Sequence, residues 1–138
     1  MDKKLFFISG IILCTCLLGT ILFVSCKEPN ILEVTHSYNI DAGEKRVISV
    51  VLEKDDRLDL TVAVHSTNQG LFSTLAPGDI GIQVDNPSGQ ASIPFTRVES
   101  GNFIVIADEY GVYVMTLDNS ISIFTPKNVS LIMKYPER

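Results

Sequence analysis

The stretch RLDLTVAVH, Arg57 to His65, alternates with a period of two. Leu58, Leu60, Val62 and Val64 fall on one face of an extended chain, and Asp59, Thr61 and His65 on the other, which is the pattern of a half-buried strand. The same period returns almost to the end of the chain. RVISVVLEK (46–54) sets Ile48, Val50 and Leu52 on one side and leaves Val47 and Val51 to make the other side partly apolar. IGIQV (80–84), ASIPFTRV (91–98), NFIVIA (102–107), YGVYVMTL (110–117) and NVSLIMKY (128–135) follow, and LEVTHSYNI (32–40) holds a further strand. Between them stand DAGE, EKDD, APGD, DNPSGQ, ESGN and DEYG, rich in the residues that close turns. About eight short strands at this spacing, with no helix after Ser25, predict an all-β antiparallel sandwich of jelly-roll type. The longest interruption, His65 to Asp79, is expected to be a binding loop or a crossover between sheets. Leu71 and Phe72 form an apolar pair within it, expected to tuck back over the sandwich edge, with a binding rim as the alternative.

The first residues follow a different rule. From Leu5 to Ser25 there is no charge, and Lys3 and Lys4 precede the run. As a helix, this segment would span about 31 Å, close to the thickness of a bilayer core. The basic residues before it favour a cytoplasmic N-terminus and an outward-facing remainder. Two readings stay open. The run is longer than the usual apolar region of a cleaved signal, which favours a retained anchor. LFVSC, however, resembles a lipobox, with Ser25 at the cut and Cys26 carrying the lipid, although Phe23 is an untypical residue there. The expected organisation is an anchor or lipoprotein signal over 1–26, a linker and first strand over 27–37, and a sandwich domain over 38–138. The membrane partner would be residues 5–25 or a lipid on Cys26.

Beyond Cys26 there is no further cysteine, so no disulfide framework holds the exported 27–138 segment. From Lys27 onward there are nine Lys/Arg and fifteen Asp/Glu, with no basic patch, which argues against a nucleic-acid partner. No nucleophile elbow is present, and the histidines, His36 and His65, are expected to be exposed strand residues rather than members of a triad. Zinc has no signature. Asp55, Asp56, Asp79, Asp85 and Asn86 stand at expected loop ends, where turn chemistry accounts for them and calcium is the alternative. Asp108 and Glu109 read as a turn before Tyr110 and Gly111, and NVS at Asn128 fits a glycosylation sequon within a strand. No catalytic residue, metal ligand or cofactor is assigned.

The most specific segment is YVMTLDNSISIFTPKNV, where Asp118, Asn119 and Ser120 interrupt two apolar strands and Lys127 follows Pro126. Asp118 and Asn119 are expected to bond the backbone of an irregular crossing into the last strand, with Lys127 paired to Asp118. Tyr113, Leu117, Asp118, Asn119, Ser122, Lys127 and Val129 resemble, in order and spacing, the closing hairpin of GOLD domains, the family that includes cargo receptors of the early secretory pathway. YNIDAGEKRVISVVLEKDDRLDLTVAV is similar to the opening of that domain, and IGIQVDNPSGQ to its middle strand and turn. The resemblance covers Tyr38 to Tyr135 and implies a GOLD-like β-sandwich used for binding, in an N-terminally anchored form nearer to prokaryotic surface proteins. The disulfide, coiled coil and C-terminal span of the eukaryotic receptors have no counterpart here, so cargo sorting is not carried over. The expected function is a non-enzymatic, membrane-anchored, extracytoplasmic module that binds a protein or peptide. A carbohydrate- or calcium-dependent lectin-like module is the alternative.

Overall fold

The structure is a computed structural model that describes residues 29–66, 78–122 and 125–138. Eight strands occupy these residues: β1 (Ile31–Ile40), β2 (Lys45–Leu52), β3 (Arg57–Ser66), β4 (Ile80–Asp85), β5 (Ala91–Val98), β6 (Ser100–Ile106), β7 (Gly111–Asp118) and β8 (Lys127–Pro136). Among the described residues there is no helix, and none long and apolar enough to cross a membrane. The apolar run 5–25 and Cys26 lie outside them, as does most of the loop after His65.

All pairings are antiparallel and form two four-stranded sheets, ordered β1-β8-β3-β6 (sheet A) and β2-β7-β4-β5 (sheet B). Only β4 and β5 are both consecutive and paired; every other connection carries the chain to the opposite sheet or past a neighbour. This is the strand order of a jelly roll. Its pairings are long-range, as in Ile31 opposite Pro136.

The core lies between the sheets and is built by the alternation. On β3, Leu58, Leu60 and Val62 are at most 1% exposed, and Leu131 on β8 and Leu117 on β7 are fully buried. Burying a side chain of this size contributes about 1.5–3 kcal/mol. On β2, Leu52 is buried and Ile48 and Val50 are half-buried against the core, while Val47 and Val51 point outward. β1 is an edge strand whose inner side carries Leu32, Val34, His36, Tyr38 and Ile40. His36 is therefore half-buried rather than exposed: its ring stacks on Tyr38 at 5.5 Å, and the Arg46 guanidinium lies 5.0 Å from the Tyr38 centroid. This stack closes the side of the sandwich between β1 and β2. His65 is exposed on β3.

Candidate functional site

Three places in the fold gather polar chemistry or open surface. The first is the corner between β7 and β8. Asn119 is 2% exposed, and its Nδ2 donates to the carbonyl oxygens of Ile40 (3.0 Å), Asp41 (3.1 Å) and Thr125 (3.0 Å). Its backbone is tied to the same turn: Asn119 N donates to Glu44 O at 2.9 Å, and Gly43 N donates to Asn119 O at 3.1 Å. Gly43 takes a φ of 85° there, a conformation suited to glycine. Ser122 Oγ donates to Thr125 O at 3.0 Å and accepts from Thr125 N at 3.2 Å. One amide thus joins the β1–β2 turn to the chain entering β8.

Asp118, beside it, accepts from Ser120 N at 2.7 Å and pairs with Lys45 Nζ at 2.8 Å. The expected ion pair with Lys127 is therefore replaced by one with Lys45, which lies directly across from Asp118 in the β2–β7 register. Lys127 opens β8 and is buried, 1% exposed. Burial pushes the Asp118 carboxyl up, but the bonds from Lys45 and Ser120 outweigh it and hold the group below its ordinary 3.8.

The second cluster lies at the other end of β7. Tyr113 is fully buried, and its hydroxyl donates to Asp108 Oδ1 at 2.6 Å while accepting from Asp108 N at 3.0 Å and Glu109 N at 3.3 Å. Asn86 Nδ2 donates to Asp108 Oδ2 at 3.0 Å, and Asn86 Oδ1 accepts from Gln90 N at 2.8 Å. Ser88, through both N and Oγ, donates to Glu109 Oε1. The β4–β5 and β6–β7 turns are locked together by these bonds. The hydroxyl of Tyr113 and the amide of Asn86 hold the Asp108 carboxyl below its usual value, and burial with the bond to Asp108 pushes the Tyr113 hydroxyl up.

Of the acids considered for calcium, the carboxylates of Asp56, Asp79 and Asp85 are engaged by the scaffold. Asp56 accepts from Arg138 Nη2 at 2.7 Å on both oxygens and from Glu53 N at 2.8 Å. Asp79 pairs with Arg97 at 2.6 Å, and Asp85 accepts from Gln83 Nε2 at 2.8 Å. Asp55 supplies the turn's positive φ of 70°. Among the described residues, no group of three or more His, Cys, Asp or Glu could hold a metal ion, and no buried side-chain polar atom lacks a partner.

Open surface is the third feature, and the two sheets differ in it. The outer face of sheet A is mostly small and polar: Asn39, Asn128 and His65 form one row, and Ser37, Ser130 and Ala63 the next. A shallow depression of about 400 Å³ lies over this end, lined also by Tyr38 and Val129. Its exposed apolar side chains are Ile104 and Ile106 on the edge strand β6 and Ile31 at the start of the opposite edge strand β1. On sheet B, Val47 and Val51 of β2 are 58% and 55% exposed, Val112 of β7 is 46% exposed, and half-buried Val114 lies between them and β4. The register sets Val51 opposite Val112 and Ser49 opposite Val114, so the valines form one patch, bordered on the β4 side by Asp85, which stands opposite Val114. Phe95, 48% exposed, lies over Gly81, where any Cβ would come within 2.3 Å of its ring. Leu71 and Phe72, read as a cover tucked over the sandwich edge or as a binding rim, lie outside the described residues.

The fold and its polar clusters define a class: an antiparallel jelly-roll sandwich whose singled-out acids, amides and hydroxyls tie turns together. Residues 35–138 match the model of the emp24/gp25L/p24 family/GOLD, well over half of the chain, and the chain belongs to that family. No curated protein matches it. Among solved structures it is similar to PliG of Aeromonas hydrophila, a periplasmic inhibitor of g-type lysozyme, with 13% identity, 80% of this chain and 90% of that one covered, and a TM-score of 0.48. It is also similar to a protein of Bacillus endospore appendages, described as a novel family of disulfide-linked pili, with 16% identity, 83% and 98% covered, and a TM-score of 0.49.

Proposed function

We propose that this GOLD domain is a non-catalytic interaction module, held to a membrane on its extracytoplasmic side, that docks a protein or peptide partner on the outer face of sheet B. The observation that carries this reading is the valine patch of Val47, Val51, Val112 and Val114. Contiguous exposed apolar surface on a small domain costs solubility unless something covers it. The polar residues most specific to the sequence, Asp118, Asn119 and Tyr113, are occupied in holding turns. Sheet A offers small hydrogen-bonding groups without an aromatic platform: the exposed aromatics Phe95 and Tyr110 belong to β5 and the β6–β7 turn. A protein partner therefore fits this surface better than a sugar does. Tethering is supported by the apolar run 5–25 and by Lys3 and Lys4 before it, with an uncleaved anchor and a lipid on Cys26 as its two forms.

The test is a photoreactive amino acid placed at Val112 or at Ser37 in the full chain in its host membrane. Crosslinking to one discrete protein from position 112, and none from 37, is expected. Equal crosslinking from both faces, or from 37 alone, contradicts the assignment. Mass spectrometry of the mature N-terminus separates the two tethers: an intact Met1 means an anchor, and a diacylglycerol on Cys26 means a lipoprotein.

A further inference from the structure

Four strands have one side without a partner strand among the described residues: β1 and β6 in sheet A, β2 and β5 in sheet B. Such edges are sites where another chain can add a strand, and folds commonly block them with charge, proline or bulges. β5 is blocked by Pro94 within the strand and by shifts of register against β4. β1 carries Glu33 near its start and meets Asp41 just past its end, and β6 lies between Glu99 and Asp108. An antiparallel partner of the same sequence centred on Ser37 would set Glu33 opposite Asp41, and one on β6 would gather the flanking acids of both copies at the two ends of the pair.

β2 differs. From Val47 to Leu52 it has no charge, proline or glycine, and its register against β7 runs without a shift. Its flanks carry opposite signs, Lys45 before and Glu53 after. When the strand is laid antiparallel to itself about a two-fold axis at Ser49, Lys45 stands opposite Glu53, Val47 opposite Val51, and Ile48 opposite Val50. Every outward apolar residue then meets an apolar one, and every outward charge meets its opposite. Lys45 and Glu53 are half-exposed in their own ion pairs, with Asp118 and Arg138. Pairing would extend these into an alternating chain of acid, base, acid and base across the junction.

We propose that the β2 edge pairs with β2 of a second copy of this chain, centred on Ser49, joining two copies of sheet B into one continuous eight-stranded sheet. The two valine patches would then meet across the axis as a single apolar face. That this joined face receives a partner rests on the function proposed above; the pairing itself rests on the edge alone.

The test uses the full chain in detergent or in its membrane, with Ser49→Cys and, as a control on the outer face of sheet A, Ser37→Cys. Directly opposite residues of antiparallel strands lie within about 4.5–5.5 Å, inside the reach of a disulfide. Mild oxidation should give a peptide linked through the two position-49 sulfurs, which mass spectrometry separates from links through Cys14, Cys16 or Cys26, at about tenfold the yield of position 37. In the Ser49→Cys background, Val47→Lys with Val51→Lys sets like charges opposite each other and should lose that link. Val47→Lys with Val51→Glu should keep it. Positions 47 and 51 lie about 13 Å apart within one strand, so the contrast reads the partner copy. Circular-dichroism melts confirm that each variant is folded. Equal yields at positions 49 and 37, or equal yields from the two charge variants, overturn the pairing even if Val112 still crosslinks to another protein.

Discussion

Asn119 and Ile40 stand 79 residues apart in the chain, and the side-chain amide of the first donates to the main-chain carbonyl of the second at 3.0 Å. The same amide also reaches Asp41 and Thr125. Truncating it takes a donor from each of these carbonyls, although Thr125 O keeps Ser122 Oγ and Asp41 O keeps Glu44 N, and a buried polar group left unpaired costs about 1–3 kcal/mol. Asn119→Ala should lower the melting temperature by roughly 5–15 °C. The valine face lies elsewhere on the sandwich, so crosslinking from Val112 should persist below the new melting point. Loss of that crosslink in a variant with unchanged melting would give Asn119 a binding role instead.

Tyr113 makes the matching closure at the opposite end of β7. Phe fills the same core space but offers no acceptor to Asp108 N and Glu109 N and no donor to Asp108 Oδ1. Tyr113→Phe should cost about 1–2 kcal/mol in chemical denaturation, with an unchanged slope against denaturant.

Acid should weaken the domain through its engaged carboxylates. Asp56, Asp108 and Asp118 are all held below 3.8 in the folded chain. For Asp56, burial works the other way, and Arg138 and Glu53 N more than offset it. A carboxylate lowered by folding lends stability that is fully present above its unfolded value and lost as pH falls through the folded one. Melting temperature should therefore hold between neutral pH and about pH 5 and fall below about pH 4. Asp118→Asn should melt lower than the natural chain at pH 7 and approach it in acid. A constant difference between the two from pH 7 to pH 2 would mean that the Lys45–Asp118 pair contributes nothing.

Two glycines separate rigid from yielding contacts. A Cβ at Gly111 would stand 2.6 Å from Pro87 Cγ, and Gly111 has a φ of 150°. Gly111→Ala should cost about 1–3 kcal/mol through strain and the clash with a rigid ring. At Gly81 the closest obstacle is the end of the exposed Phe95 ring, which can swing aside. Gly81→Ala should melt closer to the natural chain while shifting the Phe95 ring signals in an NMR spectrum.

The alternation of RLDLTVAV shows in the sequence which side of β3 is buried, because a period of two leaves each side chain a single face. The partners of β3 are not legible. In a jelly roll they are β6 and β8, tens of residues away, and no local signal encodes which sheet a strand joins. The corner role of Asp118 and Asn119 is readable from residue type, since a short polar pair between apolar strands has backbone groups to satisfy. Its acceptors are carbonyls of Ile40, Asp41 and Thr125, to which sequence is blind, and the cation for Asp118 comes from the neighbouring strand. The valine face is half legible. Val47 and Val51 already mark β2 as apolar on both sides, but the continuous run of β7 reads equally well as a strand covered on both faces. Only the sheet order leaves Val112 and Val114 facing outward.

The central claim is that sheet B, and not sheet A, is the working surface, and paired charge substitutions test it most directly. Val112→Lys and Asn102→Lys are compared in the full chain after in-cell crosslinking, with melting temperatures taken for both. The interaction account predicts that both variants stay folded and that only Val112→Lys loses the crosslinked protein partner. Retention of the partner by Val112→Lys together with its loss from Asn102→Lys would contradict the account and move the site to sheet A.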